Sequence, residues 1–288
     1  MSAPQRLLLN PDAARGRALA RLARLLGQEP IEVREVPSPK AMTSEARRAA
    51  EDGLERIVIA GGDGSLHHAI RGLAGTECAL GIVPLGTGND LARALGAPLE
   101  PLAALRAALH APWHTIDLGR VGGVPFAGVA GVGIDGEVNR RLAAFRALPA
   151  KLAYAAATFR AVVSYAPPAI EIDYDGATFV GPVLLAAFAN SPWFGGGMHI
   201  APTARLDDGQ LDLVIVRPVG LATLLRVFPR VYRGQHLDHP AVRTARLREA
   251  RLRSATPWTV YADGEPIAAC GPEGCSIDVW PQALRVVA

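Results

Sequence analysis

Short apolar runs alternate with amphipathic stretches through the first 110 residues of the chain. The apolar runs predict β-strands, and apolar positions that recur every three or four residues predict helices between or after them. The predicted strands are 6–9, 31–36, 57–60 and 80–83, and the predicted helices are 15–26, 43–52, 65–73 and 89–95. This order predicts an α/β domain with a mostly parallel sheet, whose ligand loops lie at the carboxyl ends of the strands.

From about residue 115 the pattern becomes mainly strand-like, with turns between the strands. Strands are predicted over 125–134, 170–174, 183–189, 211–216, 258–262 and 276–280, and helical insertions over 138–146, 152–165 and 221–233. We therefore predict an α/β domain over residues 1–114 and a β-rich, sandwich-like domain over 115–279, with the tail 280–288 returning to the first domain. The short junction near residue 114 predicts a cleft between the two domains.

Composition and charge narrow the classes of protein that fit this pattern. Half of the 288 residues are hydrophobic and a fifth are charged, which is typical of a globular chain. The formal net charge of +3 is too small to indicate nucleic acid as a partner. The three cysteines, Cys78, Cys270 and Cys275, are odd in number and lack zinc-ligand spacing, so we expect a reduced cytoplasmic protein without disulfides.

Two segments bear on membrane contact. The stretch 177–204 contains no Asp, Glu, Lys or Arg, but glycines and prolines interrupt it, so it predicts buried strands and a loop instead of a membrane span. Leucines recur at helical spacing near Arg226, Arg230 and Arg233; a solvated face explains this pattern, and attraction to an anionic membrane surface is the alternative. We expect a cytoplasmic location, with any membrane contact peripheral to the inner face.

A glycine-rich segment comes directly after the predicted strand 57–60 and opens a helix. Its residues are Gly61, Gly62, Asp63, Gly64 and Ser65. Such glycines allow backbone N–H groups and a helix N-terminus to face an anion such as phosphate. A carboxylate beside phosphates is repulsive unless it meets a metal ion or a hydroxyl, so Asp63 favours Mg²⁺–nucleotide binding or a ribose contact. A strand-to-helix turn capped by Asp63 or Ser65 explains the five residues equally well.

A second glycine-rich turn comes after the next predicted strand. It reads Pro84-Leu85-Gly86-Thr87-Gly88-Asn89-Asp90-Leu91-Ala92-Arg93. Loops after neighbouring parallel strands leave a sheet at the same edge, so two such loops, each with a carboxylate, favour a cradle for a nucleotide triphosphate. The sequence contains no G-x-x-x-x-G-K-[ST] segment, which excludes a Walker-type phosphate loop.

Taken together, the two glycine-rich segments resemble the diacylglycerol kinase catalytic-domain family of the NAD kinase-like superfamily, especially its bacterial lipid kinases related to sphingosine and ceramide kinases. Further segments in the family's order are Asn10-Pro11, Asp117-Leu118-Gly119, Asp207-Asp208-Gly209 and Asp263-Gly264-Glu265-Pro266. The resemblance implies an active site in the interdomain cleft, ATP and Mg²⁺ as cofactors, and γ-phosphoryl transfer to a hydroxyl of diacylglycerol or a related glycerolipid or sphingoid lipid. NAD kinase and a nucleotide-binding regulatory protein without kinase activity are the alternatives.

The resemblance also implies roles for individual residues. On the nucleotide side it implies Asn10, Ser38, Gly61, Gly62, Asp63, Gly64, Ser65, Gly86, Thr87, Gly88, Asn89 and Asp90. It makes Asp263 or Glu265 the acceptor of the hydroxyl proton. It implies a Mg²⁺ ion at the side chain of Asp208 and the backbone oxygens of Arg205 and Gln210, linked through water to Asp117. Without the resemblance, the Asp-Gly pairs 208–209 and 263–264 predict turns.

The resemblance leaves three features to be interpreted: the two histidines, one uncharged region and the oligomeric state. His67 and His68 stand where the family usually has Asn and Glu, a change that bears on nucleotide affinity; we expect them to be a solvated feature of a surface helix and no zinc site. The uncharged region around Trp193, Phe194 and Met198 is expected either beside the entry of the lipid acceptor or in the core. The sequence leaves a homodimer open.

Overall fold

The computed structural model describes residues 5–11, 31–145 and 169–287, together with 148, 152–153, 156–157, 160–161, 165 and 167. The predicted helix 15–26 and half of the predicted helix 152–165 lie outside the described residues. The chain divides into two compact units. The first is Met1–Leu118 with Pro281–Ala288, and the second is Gly119–Trp280.

The first unit is built from alternating strands and helices. In chain order these are β1 (Gln5–Leu9), β2 (Ile31–Glu35), α1 (Pro39–Glu51), β3 (Arg56–Gly61), α2 (Asp63–Leu73), β4 (Ala79–Pro84), α3 (Asp90–Ala94), α4 (Pro101–His110) and the start of β5 (Trp113–Val121). The first four strands pair in parallel in the order β2, β1, β3, β4. The parallel α/β organisation predicted from the alternating pattern is confirmed.

The parallel pairing fixes which strand ends meet. Leu9 lies opposite Ala60 and Gly61 lies opposite Pro84, so the segments that come after β1, β3 and β4 leave the sheet at one edge. Toward their carboxyl ends these strands are apolar and buried because helices cover the sheet, and Leu105 and Leu109 of α4 pack into the same core. The glycine-rich segments therefore begin at rigid, buried strand ends.

The second unit is mainly antiparallel sheet. In chain order it contains β6 (Val124–Phe126), β7 (Val129–Gly133), α5 (Ile134–Leu142), a 3₁₀ turn (Ala143–Phe145), β8 (Ala169–Tyr174), β9 (Ala177–Pro182), β10 (Leu185–Ala189), β11 (Trp193–Phe194), β12 (Met198–His199), β13 (Leu211–Val216), α6 (Leu221–Val231), β14 (Val242–Leu247), β15 (Glu249–Ser254), β16 (Trp258–Ala262) and β17 (Glu265–Cys270). The last strand, β18 (Cys275–Val287), starts in this unit and ends in the first, where Val286 lies opposite Leu80 of β4.

Two groups of strands enclose one core in the second unit. One sheet has the order β14, β13, β10, β7, β16, β17, and the other group runs from β18 through β15 and β8 to β9. Phe188 and Ile215 from the first sheet meet Ile172 and Leu252 from the second group in one buried cluster. The β-rich, sandwich-like architecture is therefore confirmed.

Several predicted boundaries were wrong. The run 125–134 is two strands separated by a turn at Ala127 and Gly128, and α5 begins at Ile134, four residues before the predicted helix. Gly133 explains the early start, because its φ of 132° is a conformation that few other residues adopt and it ends β7. The uncharged stretch 177–204 forms strands and a loop, as predicted. The expected burial holds for β10 and is wrong for most of β9, where Val180 is 70% exposed. Within the described part of the chain, no helix is long and apolar enough to cross a bilayer.

Candidate functional site

The two glycine-rich loops touch each other at the edge of the parallel sheet. A Cβ atom on Gly62 would lie 3.1 Å from the Cα of Gly86, and one on Gly86 would lie 2.7 Å from the Cα of Gly62. The N–H of Leu85 also donates to the carbonyl of Gly61 at 2.8 Å. A side chain at either glycine would force the loops apart, so glycine is required by this contact as well as by any approach of a ligand to the backbone.

Asp63 joins the two loops through its carboxylate. Its Oδ2 accepts a hydrogen bond from the N–H of Asn89 at 2.8 Å, and its Oδ1 accepts one from the N–H of Asp90 at 2.9 Å. The side chain thus caps α3, the helix that begins after the other loop, and not the helix that Asp63 itself begins. Burial and the charge of Asp90 raise the pKa of Asp63, while its backbone hydrogen bonds act in the opposite direction.

Asn89 fixes the shape of the second loop. It adopts the left-handed region with φ of 53°, its Oδ1 accepts from the N–H of Gly86 at 3.1 Å, and its Nδ2 donates to the Gly86 carbonyl at 2.9 Å. At the other end of this turn, Arg93 donates to the carbonyl of Gly88 at 3.3 Å. The loop is therefore held by its own side chains, which leaves Thr87 exposed at its tip.

The end of β1 adds a third element to this edge. Asn10 donates from its Nδ2 to the hydroxyl of Ser65 at 2.9 Å, and its N–H donates to the carbonyl of Ala60 at 3.1 Å. Asn10 and Ser65 are thus brought together with the two loops. Ser38, exposed after β2, caps α1 by accepting from the N–H of Ala41 at 3.2 Å, so its observed role is that of a helix cap.

The expectation of a solvated histidine pair was wrong for His67. Its side chain lies in α2 with 1% of its surface exposed, and its ring meets the ring of His68 edge-on with centroids 5.1 Å apart. The carbonyl of His68 accepts from the hydroxyl of Thr43 at 2.9 Å. His67 therefore belongs to the buried face of α2.

In the second unit, Asp263 lies at the turn between β16 and β17 with φ of 52°. Its Oδ1 accepts from the N–H of Gly128 at 2.8 Å and its Oδ2 accepts from the N–H of Ala127 at 3.1 Å. A Cβ atom on Gly128 would lie 2.6 Å from that Oδ1. Two backbone donors therefore hold the carboxylate in one orientation. Glu265 is half-buried at the start of β17, where it pairs with Ala262.

Asn190 completes this cluster and was not predicted. Its Nδ2 donates to the carbonyl of Ala127 at 2.9 Å and its N–H donates to the carbonyl of Gly128 at 2.9 Å. Ser191 donates from its N–H to the same Gly128 carbonyl at 3.1 Å. Both residues are fully buried. The one signal in the sequence was a polar Asn-Ser pair directly after an apolar strand, which a turn would explain equally well.

The residues assigned to a metal form ion pairs and hydrogen bonds in the structure. Asp208 pairs with Arg246 and accepts from the N–H of Gln210 at 3.1 Å, while Arg205 pairs with Asp207 at 3.1 Å. Asp117 belongs to the first unit, where it is 2% exposed and accepts from the N–H of Gln282 at 2.8 Å. Across the residues described, no group of three or more His, Cys, Asp or Glu side chains could hold a metal ion.

An apolar cavity of about 110 Å³, which opens to solvent on one side, lies in the second unit. It is lined by Phe194 and Met198 from the region expected beside the acceptor, and by one face of α6 that includes Leu224, Val227 and Phe228. The lining favours an apolar ligand, because it offers few polar groups that would bind a charged one.

Two family models match the chain. Residues 4–121 match the diacylglycerol kinase catalytic domain, and residues 128–288 match the YegS C-terminal NAD kinase beta sandwich-like domain. A protein from Mycobacterium tuberculosis named diacylglycerol kinase is 35% identical over 246 residues, which cover 83% of this chain and 78% of the relative. One of the same name from Bacillus subtilis is 32% identical over 227 residues, covering 77% of this chain and 75% of the relative.

Solved structures share the fold. The crystal structure of a diacylglycerol kinase from Bacillus anthracis superposes with a TM-score of 0.76 and covers 99% of this chain and 96% of its own. The sequence identity of that pair is 20%, so this likeness shows the fold alone. The similarity at the level of sequence rests on the family models and on the relatives from M. tuberculosis and B. subtilis.

Proposed function

We propose that this chain, which belongs to the diacylglycerol kinase catalytic-domain family and is a lipid kinase, transfers the γ-phosphoryl group of ATP to the free hydroxyl of diacylglycerol or a related glycerolipid. The contact between Gly62 and Gly86 at the edge of a parallel sheet carries the proposal, because backbone without side chains can approach phosphate closely. The kinase relatives do not favour the NAD kinase alternative, and they leave the non-kinase alternative without support.

On the nucleotide side, backbone N–H groups from the first turn of α2 and from the second loop would donate to phosphate oxygens. Asn10 and Ser65 would hold the end of β1 against this cradle through their hydrogen bond. We assign Asp63 the role of tying the loops together, since both of its oxygens accept backbone N–H groups of the second loop. Loss of that tie would change nucleotide affinity through loop geometry.

On the acceptor side, we assign the proton to Asp263, with Glu265 as the alternative acceptor. As the lipid hydroxyl attacks the γ-phosphorus, the bond from that phosphorus to the β–γ bridging oxygen breaks, ADP leaves, and the carboxylate takes the hydroxyl proton. The N–H groups of Ala127 and Gly128 support Asp263, because they fix the carboxylate in one orientation.

The apolar cavity of the second unit suits an acyl chain of the acceptor. Its walls are formed by residues such as Leu224, Phe228 and Met198, which would remove the chain from water. Transfer of apolar surface from water into such a site is favourable by about 25 cal/mol for each Å² buried. An acyl chain bound there would hold one end of the lipid within the protein while the head group reacts.

Magnesium at Asp208 fits the chemistry of the donors, because Mg²⁺ prefers carboxylate and carbonyl oxygens. In the structure the Asp208 carboxylate pairs with Arg246, so an ion there would compete with the guanidinium. Bound at Asp208, Mg²⁺ would supply a positive charge. Its oxygen ligands from residues 205–210 would then be held together by the ion.

We expect Mg²⁺ to raise the melting temperature of the wild type, because an ion that binds only the folded state adds about 2.7 kcal/mol at 100 times its dissociation constant. Asp208→Asn should lose this rise. Arg246→Gln, which keeps the carboxylate and removes its competitor, should retain it. Differential scanning fluorimetry with Mg²⁺ or EDTA measures the effect, and an equal rise in Asp208→Asn would reject the site.

The acceptor is tested by supplying γ-³²P-labelled ATP and Mg²⁺ to the purified chain with one candidate acceptor at a time. The candidates are diacylglycerol, phosphatidylglycerol, sphingosine, ceramide and NAD. We expect the label in the phosphorylated product of diacylglycerol. Label found mainly on sphingosine or ceramide would mean that the acceptor is that lipid and not diacylglycerol. Label on NAD or on none of the five would overturn the proposed function.

A further inference from the structure

The apolar side of helix α6 extends beyond the cavity. Leu224, Val227 and Phe228 line the apolar cavity, whereas Leu221 and Leu225 are not part of its lining and are 39% and 54% exposed. None of the helix's residues is buried. Leu221 and Leu225 are one turn apart, so they form a short apolar ridge on the outer surface. The cavity accounts for the inner face of α6 but not for these two outward leucines.

Positive charge accompanies this ridge. The segment between Asp212 and Asp238 contains Arg217, Arg226, Arg230 and Arg233 and no Asp or Glu. Arg226, Arg230 and Arg233 are exposed. Arg226 and Arg230 are one turn apart on α6 and adjacent in sequence to the leucine ridge and to Pro229. The outer face of α6 therefore combines exposed leucines with arginines, which is the pattern of helices that lie in the interface of an anionic membrane.

We propose that the outer face of α6, defined by Leu221, Leu225, Arg226 and Arg230, docks the protein on an anionic lipid bilayer. The leucines enter the boundary between head groups and acyl chains, and the arginines bind lipid phosphates. This inference rests on the proposed function, because a kinase whose acceptor is a membrane lipid must reach the bilayer. Beyond the proposed function, the inference names the surface of the protein that contacts the bilayer and the charge of the lipid to which that surface binds.

The charge of the face selects a bilayer over a second copy of the chain. An isologous dimer through α6 would bring the same arginines of both copies together, and the segment supplies no carboxylate to neutralise them. An anionic bilayer supplies the opposite charge over the whole face. The inner face of α6 also lines the cavity proposed for the acyl chain, so docking would bring that cavity close to the lipids from which the acceptor comes.

The test measures binding of the full chain to sedimented vesicles of phosphatidylcholine, with and without phosphatidylglycerol. We expect binding that requires phosphatidylglycerol and weakens with salt. The double variant Arg226→Glu/Arg230→Glu should bind on the order of 10²-fold more weakly, because each arginine near an anionic surface contributes roughly a factor of five. Arg47→Glu/Arg48→Glu is the matched control: these two exposed arginines of α1 change the net charge equally, and binding should change little.

A second variant separates the leucines from the charge. Leu221→Ala/Leu225→Ala leaves the net charge and the cavity lining unchanged, and it should also weaken vesicle binding. Equal binding by wild type and Arg226→Glu/Arg230→Glu, or a wild type that ignores phosphatidylglycerol, would overturn docking. Docking would also be overturned if the wild type were a dimer and Arg226→Glu/Arg230→Glu dissociated it, because the outer face of α6 would then contact a second copy of the chain.

Activity on diacylglycerol dispersed in detergent micelles keeps the two proposals apart. The outer-face variants should phosphorylate micellar diacylglycerol at the wild-type rate and lose activity only on vesicles. A wild type that binds anionic vesicles through α6 but phosphorylates no lipid would refute the proposed acceptor and keep the docking surface. A wild type that phosphorylates micellar diacylglycerol but does not bind anionic vesicles would refute the docking surface and keep the proposed acceptor.

Discussion

Asp263→Asn is expected to bind ATP as the wild type does and to turn over about 10²- to 10⁴-fold more slowly, which is the usual contribution of a general base. The amide keeps the size of the carboxylate but cannot accept the proton of the lipid hydroxyl. It can accept from only one of the N–H groups of Ala127 and Gly128, so a loss of about 1–3 kcal/mol in stability should accompany the substitution. Isothermal titration with ATP and initial rates at saturating lipid measure the two effects.

Two controls separate chemistry from structure at Asp263. Glu265→Gln should keep most of the turnover, and the assignment passes to Glu265 if that variant is the inactive one. Gly128→Ala keeps the carboxylate but displaces it, because the new Cβ would lie 2.6 Å from Oδ1; it should lower kcat while leaving ATP affinity unchanged. Wild-type turnover in Asp263→Asn would reject Asp263 as the proton acceptor.

Gly86→Ala is expected to weaken ATP binding by on the order of 10²-fold, the size of effect that a displacement of about 1 Å produces at a positioned site. The added Cβ would lie 2.7 Å from the Cα of Gly62 and 2.9 Å from Oδ1 of Asn89, so the two loops must separate. A stability cost of about 1–3 kcal/mol from overpacking should accompany the loss of affinity. Calorimetric titration with ATP and thermal unfolding report the two quantities.

Gly271→Ala is the matched substitution for this experiment. The new Cβ would meet only Pro257, at 3.8 Å, which is an ordinary contact, so ATP affinity and melting temperature should stay close to the wild type. Gly62→Ala should resemble Gly86→Ala, since it addresses the same contact from the other side at 3.1 Å. Wild-type ATP affinity in a folded Gly86→Ala protein would mean that this contact does not shape the nucleotide site.

The closeness of the two glycine-rich loops to each other could be predicted from the sequence, because it depends only on the parallel pairing of the strands before them. Strands 57–60 and 80–83 were identified by their apolar runs, and parallel pairing then places the loops after both strands at one edge of the sheet. The role of Asp63 could not be predicted in the same way. Its partners are N–H groups 26 and 27 residues away, and they point at it only because Asn89 adopts a left-handed conformation.

The cluster at Asp263 shows a sharper limit. Its Asp-Gly pair predicted a turn, and the turn is present, but the carboxylate binds an N–H group 136 residues earlier in the chain. Asn190 donates to the carbonyl of Ala127, 63 residues earlier, whose N–H group binds Asp263. Such long-range hydrogen bonds leave no periodic pattern in a single sequence. Strands β14 and β15 were not predicted. In β14, Arg243 and Arg246 lie three residues apart, which departs from the two-residue period of a strand.

The central claim, that the two glycine loops jointly hold the triphosphate, is tested most directly by hydrogen exchange of the full chain with and without Mg²⁺ and a non-hydrolysable ATP analogue. We expect slower exchange of backbone amides in peptides covering residues 61–65 and 86–90 together, because the same N–H groups would donate to phosphate oxygens. Binding of the analogue with unchanged exchange in both loops, or with protection of only one of them, would contradict the account.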